Sequence, residues 1–220
     1  MKYYLLPLLL LLIIPKGISQ TFNPSTMNKG AKNLIHFGLG LEYGGILQGG
    51  YEKQISKKDH PKFLYLNQTL PMGDKVFDDF KTEIGYSSWY KYENFGANIR
   101  LGGIFRRHET ERVRLVNFGS QVTMSLGYYK TKFFISAEGG FDKAIVTHFR
   151  HSESYRSSFP KVQDGWYNPS TGGNLHAGIN VGFITKRIDY TLAIGRIVAQ
   201  DWRTNPLIPY YAKFSISKRW

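Results

Sequence analysis

Beyond residue 33 the chain alternates, again and again, between apolar and polar or glycine positions. Leu175, Ala177, Ile179, Val181 and Phe183 are apolar, with Asn174, His176, Gly178, Asn180 and Gly182 between them. Val116, Phe118, Val122, Met124, Leu126 and Tyr128 alternate with Asn117, Gly119, Gln121, Thr123, Ser125 and Gly127. Phe95, Ala97, Ile99, Leu101 and Phe105 do so with Asn98, Arg100, Gly102 and Arg106. Successive side chains of a strand point to opposite faces, so each segment has one apolar and one polar face. A helix would need a period of 3.6, which these segments lack.

The pattern predicts about ten strands, near 34–43, 46–55, 62–70, 80–90, 94–106, 112–128, 132–149, 174–185, 188–199 and 209–220. Most reach the roughly ten residues that a tilted strand needs to cross a bilayer. The stretch Tyr43-Gly44-Gly45-Ile46 reads as a tight turn in which Gly supplies φ > 0, or as a glycine bend within one long strand. The second reading leaves eight strands. With a first strand at 34–43, the even-to-odd links at 56–61, 91–93, 130–131 and 186–187 are short. The odd-to-even links at 71–79, 107–111, 150–173 and 200–208 are generally longer. Short turns on one rim and long loops on the other suit a membrane barrel with both termini on the short-turn side.

The N-terminus is set apart from the fold. Lys2 precedes an apolar run from Leu5 to Ile14, too short for a membrane-spanning helix. Gly17 and Ser19 place small residues before Gln20, as at a secretory cleavage site. The expected organisation is a signal peptide at 1–19, a short periplasmic lead at 20–33 and a barrel at 34–220. The chain has no Cys, so no disulfide and no lipidated cysteine enters the argument. Removing Lys2 and Lys16 lowers the formal net charge from +13 to +11. An export signal argues against nucleic acid as the partner of this basic chain.

Alternation alone does not say which face is inside. A secreted lipocalin-like barrel alternates too, with its apolar residues inward. Two features favour an outward apolar face. The polar face is rich in Gly and charge, which suits a narrow filled lumen. The apolar face carries Phe37, Tyr43, Tyr51, Phe105, Tyr128, Phe133, Tyr190, Tyr210 and Trp220 near strand ends, as two interfacial girdles would.

The chain closes on Tyr210-Tyr-Ala-Lys-Phe-Ser-Ile-Ser-Lys-Arg-Trp220, an alternating segment with a terminal aromatic. Together with the N-terminal signal, this layout resembles the small outer-membrane β-barrel proteins of bacteria. The resemblance implies an all-β, antiparallel up-and-down transmembrane barrel in the outer membrane of a Gram-negative cell. It also implies that Phe214, Ile216 and Trp220 form the signal read by the barrel-assembly machinery, with Lys218 departing from the usual hydrophobic residue. No specific subfamily and no catalytic motif is implied.

On the alternation, Glu42, Glu52, Glu83, Glu138, Asp142 and Asp189 face the lumen, as do Arg100, Arg106, Lys213 and Arg219. Opposite charges in so narrow a space should pair. The expected lumen network of Glu42, Glu52, Glu83, Arg100, Arg106, Glu138, Asp142 and Lys213 then plugs the barrel or lines a narrow conduction path. Lys57, Lys58, Lys62, Lys91, Lys130, Lys132, Lys186 and Arg187 make the short-turn rim basic, matching anionic lipid headgroups or simply solubilising the turns. Arg106, Arg107, Arg112 and Arg114 cluster with Glu109 and Glu111 near a long-loop rim, where lipopolysaccharide offers phosphate.

The longest loop, 150–173, carries Tyr155, Phe159, Trp166 and Tyr167, either as anchors for an envelope protein partner or as packing over the mouth. His148, His151 and Glu153 are the only His cluster. His148 and His151 fall on opposite strand faces, so they cannot share a metal without a turn. His151 and Glu153 share a face near Ser152 and Ser154, which admits a rim-sited lipid hydrolase. The segment reads His-Ser-Glu-Ser, not the His-x-Ser that such hydrolases carry. His36 and His176 read as hydrogen-bonded interior residues. No cofactor motif is present. The expectation is a non-catalytic envelope structural or interaction protein, with a secretion or conjugation apparatus as a setting that would look the same. A narrow porin-like channel and the rim-sited hydrolase are the alternatives.

Overall fold

The computed structural model describes residues 31–56, 60–73, 77–170, 172–202 and 208–220. The proposed signal peptide, most of the periplasmic lead, and Lys57 and Lys58 lie outside these residues. The strands are β1 (Asn33–Leu41), β2 (Gly45–Ser56), β3 (Lys62–Pro71), β4 (Asp79–Tyr92), β5 (Phe95–Glu109), β6 (Val113–Tyr129), β7 (Phe133–His151), β8 (Gly165–Tyr167), β9 (Gly173–Ile184), β10 (Ile188–Ala199) and β11 (Tyr210–Arg219). A short helix, α1 (Glu153–Ser158), lies between β7 and β8.

Every pairing is antiparallel. Strands β1 to β7, β9, β10 and β11 each join the next, and β11 returns to β1 from Leu34↔Arg219 to Leu41↔Ala212. The result is a closed ten-stranded barrel. Strand β8 stands apart from the ring and, among the described residues, pairs only with residues 147–149 of β7. The eight-strand alternative is excluded, because the residues after Leu41 form a turn with Glu42 N–H donating to Gly44 O at 2.8 Å. The left-handed residue of that turn is Tyr43, at φ 59°, and not a glycine. The turn carries Tyr43 off the apolar wall and over the lumen mouth, where Arg106 lies 5.7 Å from its ring centroid. Tyr43 is therefore not part of an interfacial girdle.

Burial is inverted relative to a water-soluble protein. Ile84, Leu126 and Phe183 are 66 %, 64 % and 62 % exposed, whereas Glu52 is 0 % and Arg219 6 % exposed. The apolar face points outward, which removes the lipocalin-like alternative. So large an apolar wall belongs in lipid, and barrel closure leaves no strand edge unpaired there. The chain is a closed antiparallel β-barrel with the outward apolar wall of a membrane-spanning one.

The lumen is not polar throughout. At the short-turn rim Leu34, Phe63, Trp89, Tyr129, Phe134 and Ile184 form one buried apolar cluster. Tyr129 stacks on Phe134 at 5.3 Å, and Trp89 meets Tyr129 edge-on at 4.7 Å. These residues share the parity of the lumen-facing positions on their own strands, so the alternation places them inside. Glycines make the room. A Cβ at Gly96 would overlap the Trp89 ring, and one at Gly182 the Phe134 ring.

Gly182→Val should therefore destabilise the barrel by about 1–3 kcal/mol through overpacking. The check is the temperature at which the fast-migrating folded band disappears on an unboiled gel. Adding Phe134→Ala to the same chain should recover most of the loss.

Candidate functional site: the barrel lumen and its mouth

Above the apolar floor the lumen narrows into a polar chamber. On its floor side Arg100, on β5, pairs with Glu52, on β2, with Nη1 donating to Oε1 at 2.8 Å. The guanidinium lies 4.0 Å from the ring centroid of Tyr65, on β3, and a Cβ at Gly85 or Gly102 would overlap Tyr65. A second network joins Lys81 to Glu42 at 3.2 Å and to Glu83 at 3.0 Å. Asn67 Nδ2 donates to Glu83 at 3.2 Å. Across the chamber Asn180 Nδ2 donates to Glu138 at 3.4 Å, and His176 lies 3.9 Å from the same carboxylate. Lys213 and Tyr211 complete a cavity of about 80 Å³. Nearer the short-turn rim Arg219 pairs with Asp189 at 2.9 Å.

Toward the long loops the chamber opens into a vestibule of about 370 Å³ that Tyr43, Lys81, Arg106, His108, Asp142 and Lys143 help to line. Arg106 Nε lies 3.4 Å and His108 Nδ1 3.2 Å from Asp79. Asp142 accepts from Asn174 Nδ2 at 3.4 Å. Lys143 Nζ donates to Ser170 O at 2.7 Å and to Gln200 Oε1 at 2.8 Å.

The expected lumen residues thus fall in two places. Glu83, Arg100, Glu138 and Lys213 are buried in the chamber wall, and Glu52 is buried against Arg100. Glu42, Arg106 and Asp142 are only partly buried and line the vestibule. His36 is buried, and a Cβ at Gly50 would meet its ring. Lys81, which bridges two carboxylates, escaped the sequence reading, although its spacing of two from Glu83 puts both on one strand face. Tyr65 and Tyr211 escaped it as well, because an aromatic is expected on the apolar side.

The long loop is folded. Ser152 caps α1 by accepting the Tyr155 N–H at 3.3 Å, and its Oγ lies 3.1 Å from Ser154 Oγ. His151 pairs through Nδ1 with Asp164 at 2.9 Å, and its backbone N–H donates to the same oxygen at 2.8 Å. Glu153 does not share a strand face with His151, because it begins α1. The arrangement that the hydrolase alternative invoked is thus not formed. Tyr155 stacks on His151 at 5.4 Å and meets Phe159 at a tilt at 4.9 Å. Tyr167 meets Phe149 edge-on at 5.4 Å. Trp166 instead turns to the outer wall, against His148 at 4.9 Å and Phe118 at 6.2 Å. The four loop aromatics therefore do not form one anchor patch. Phe214 and Ile216 on β11, and Trp220 just beyond it, follow the outward face, and Trp220 O accepts from the N–H groups of Lys32 and Asn33. Among the described residues no group of three His, Cys, Asp or Glu side chains is placed to hold a metal ion.

No family model matches the chain, and no curated protein does. Among solved structures, the barrel is similar to a KdgM porin in complex with disordered oligogalacturonate. The identity is 10 %, the match covers 85 % of this chain and 99 % of the other, and the TM-score is 0.42. A membrane-protein structure from work on in-meso crystallisation matches with 6 % identity, 86 % and 83 % coverage and a TM-score of 0.35. Likeness at this level is one of architecture.

Two predictions test the site. Glu52→Gln removes the carboxylate charge paired with the buried Arg100, so it should cost up to about 3–5 kcal/mol. Urea unfolding of the refolded barrel in lipid vesicles measures this, and joint replacement by Glu52→Leu and Arg100→Met should cost less. The second prediction concerns the loop. Hydrogen bonds from the His151 backbone and then its ring hold the Asp164 carboxyl below the ordinary carboxylate range. A carboxylate stabilised in the folded form contributes fully above its unfolded value, and the contribution fades as pH falls through the lowered one. The loop clasp should thus survive mild acid and open only in strong acid. Asp164→Asn should open it at neutral pH, read as faster proteolysis after Lys161.

Proposed function

We propose that this chain is a non-catalytic outer-membrane β-barrel of the Gram-negative envelope that acts at its outer mouth as a structural or interaction protein. The observation that carries the reading is the asymmetry of the lumen. A vestibule of about 370 Å³ opens beneath the long loops, while six apolar side chains are packed at the opposite end. Such a lumen presents a polar recess to the outside and resists the passage of ions. The mouth is suited to a small polar solute or to a protein segment, because Lys81, Arg106 and His108 already face Glu42 and Asp79. Phe159 and Tyr167, both exposed, are the loop residues offered to a protein partner. Recognition of the outward face of β11 by the barrel-assembly machinery belongs to the same reading.

A narrow porin-like channel is the second reading. The specific observation in its favour is that vestibule and chamber share Glu42, Tyr43, Lys81 and Asp142, so a charged path leads from the mouth toward the floor. The similarity to a porin accords with it at the level of architecture. In that case Trp89, Tyr129 and Phe134 form the constriction.

Planar-bilayer recording of the refolded protein separates the two. The closed barrel should show no steady conductance, and Trp89→Ala with Phe134→Ala should create one. Steady conductance from the unaltered protein would reject the closed barrel in favour of the channel.

A further inference from the structure

The outer wall of β5, β6 and β7 carries an arrangement that the lumen does not explain. Phe95 pairs with Tyr128 near one rim, and ten residues along the same strands Phe105 pairs with Phe118. Ten residues at about 3.3 Å each, tilted by about 40°, separate the two aromatic pairs by about 25 Å along the membrane normal. That is the height of the apolar band of an outer-membrane barrel. Phe105 and Phe118, 5.2 Å apart, therefore mark the outer edge of the hydrocarbon. Phe80 at 5.7 Å from Phe105 and Trp166 at 6.2 Å from Phe118 extend the band sideways.

Three arginines stand directly above it. Arg107 is two residues beyond Phe105, and Arg114 is four beyond Phe118 on the neighbouring strand. Arg150 lies opposite Arg114 in the β6–β7 register. Like charges directly opposite in a sheet repel, and an anion between them reverses the sign. Glu109 meets Arg114 through both carboxylate oxygens, at 2.8 Å and 2.9 Å, and also meets Arg107. One carboxylate thus orients two guanidinium forks, and with Asp78 also near Arg114 the three arginines still outnumber the two carboxylates that act on them. Arg150 is exposed beside them. Guanidinium forks match phosphate oxygens bidentately.

We propose that this wall binds the phosphate of an amphiphile in the outer leaflet, with the phosphate between Arg114 and Arg150 near Arg107 and the acyl chains along Phe105, Phe118 and Trp166. The site rests on the reading of the barrel as membrane-spanning with its long loops outward.

The test uses the full-length refolded barrel in detergent micelles, with native mass spectrometry to count retained molecules. The probes are bis-phosphorylated lipid A, its dephosphorylated form, and inorganic phosphate. Phosphorylated lipid A should be retained, and joint Arg107→Gln, Arg114→Gln and Arg150→Gln should weaken it by about tenfold or more. Glu109→Gln should tighten binding, since the competing carboxylate charge is gone. Equal retention by the triple variant, or of the dephosphorylated lipid, would overturn the proposal. Inorganic phosphate bound as tightly as lipid A would assign the wall to free phosphate and reject a lipid. Each variant is first checked for the heat-dependent gel shift of a folded barrel. Arg150→Gln, outside the Glu109 network, replaces the triple variant if that chain does not fold. Loss of the shift in the unaltered protein would undo the membrane-barrel reading itself.

Discussion

Barrel closure is the constraint on which the rest of this structure depends. Within hydrocarbon each backbone N–H and C=O must find a partner inside the protein, because no water is there to supply one. The seam from Leu34↔Arg219 to Leu41↔Ala212 meets that demand for the first and last strands of the ring. It also explains why Trp220 is structural. Trp220 O accepts the N–H groups of Lys32 and of Asn33, where β1 begins, so the two ends of the barrel lock together.

A closed ring of ten strands leaves little room inside, and this limit shapes the interior. The lumen contains both large aromatic rings and charged side chains, and glycines on neighbouring strands make both fit. Tyr65 lies over Gly85 and Gly102, Tyr211 over Gly178 and Gly195, and Phe134 over Gly182. The abundance of Gly on the polar face therefore reflects steric accommodation of rings more than flexibility. Rings fill the short-turn end, and ion pairs fill the middle. A buried charge is tolerated only with a partner, so Arg100 has Glu52, Lys81 has Glu42 and Glu83, and Arg219 has Asp189. The two fillings divide the barrel into a sealed end and an open one.

The outer wall obeys a different physics. In lipid, apolar residues need no partners, and what distinguishes one zone from another is depth. Aromatic contacts gather at two levels, Phe95–Tyr128–Phe133 below and Phe80–Phe105–Phe118–Trp166 above. Strands β5, β6 and β7 continue past the upper level and carry Arg107, Arg114 and Arg150 there. The folded part of the long loop is built on the same extension, since β8 pairs with the outer end of β7.

The sequence by itself determined the strands, their antiparallel order and which of their faces is polar. A period of two is a local property, and each segment states it independently, so ten segments could be placed to within a few residues. It also placed Glu52, Glu83, Arg100, Glu138 and Lys213 inside, because parity is fixed along a strand. Tertiary structure decided what parity cannot. Which residues meet across the lumen depends on register and closure, so the pairing of Arg100 with Glu52, and of Lys81 with Glu42, was not legible. Trp89, Tyr129 and Phe134 have lumen parity, but chemistry suggested the opposite face, and only the opposing glycines reveal the space they occupy. Tyr43 left the wall because a single left-handed residue redirected it, and α1 and β8 formed in the long loop through contacts with β7 that no periodic pattern announces.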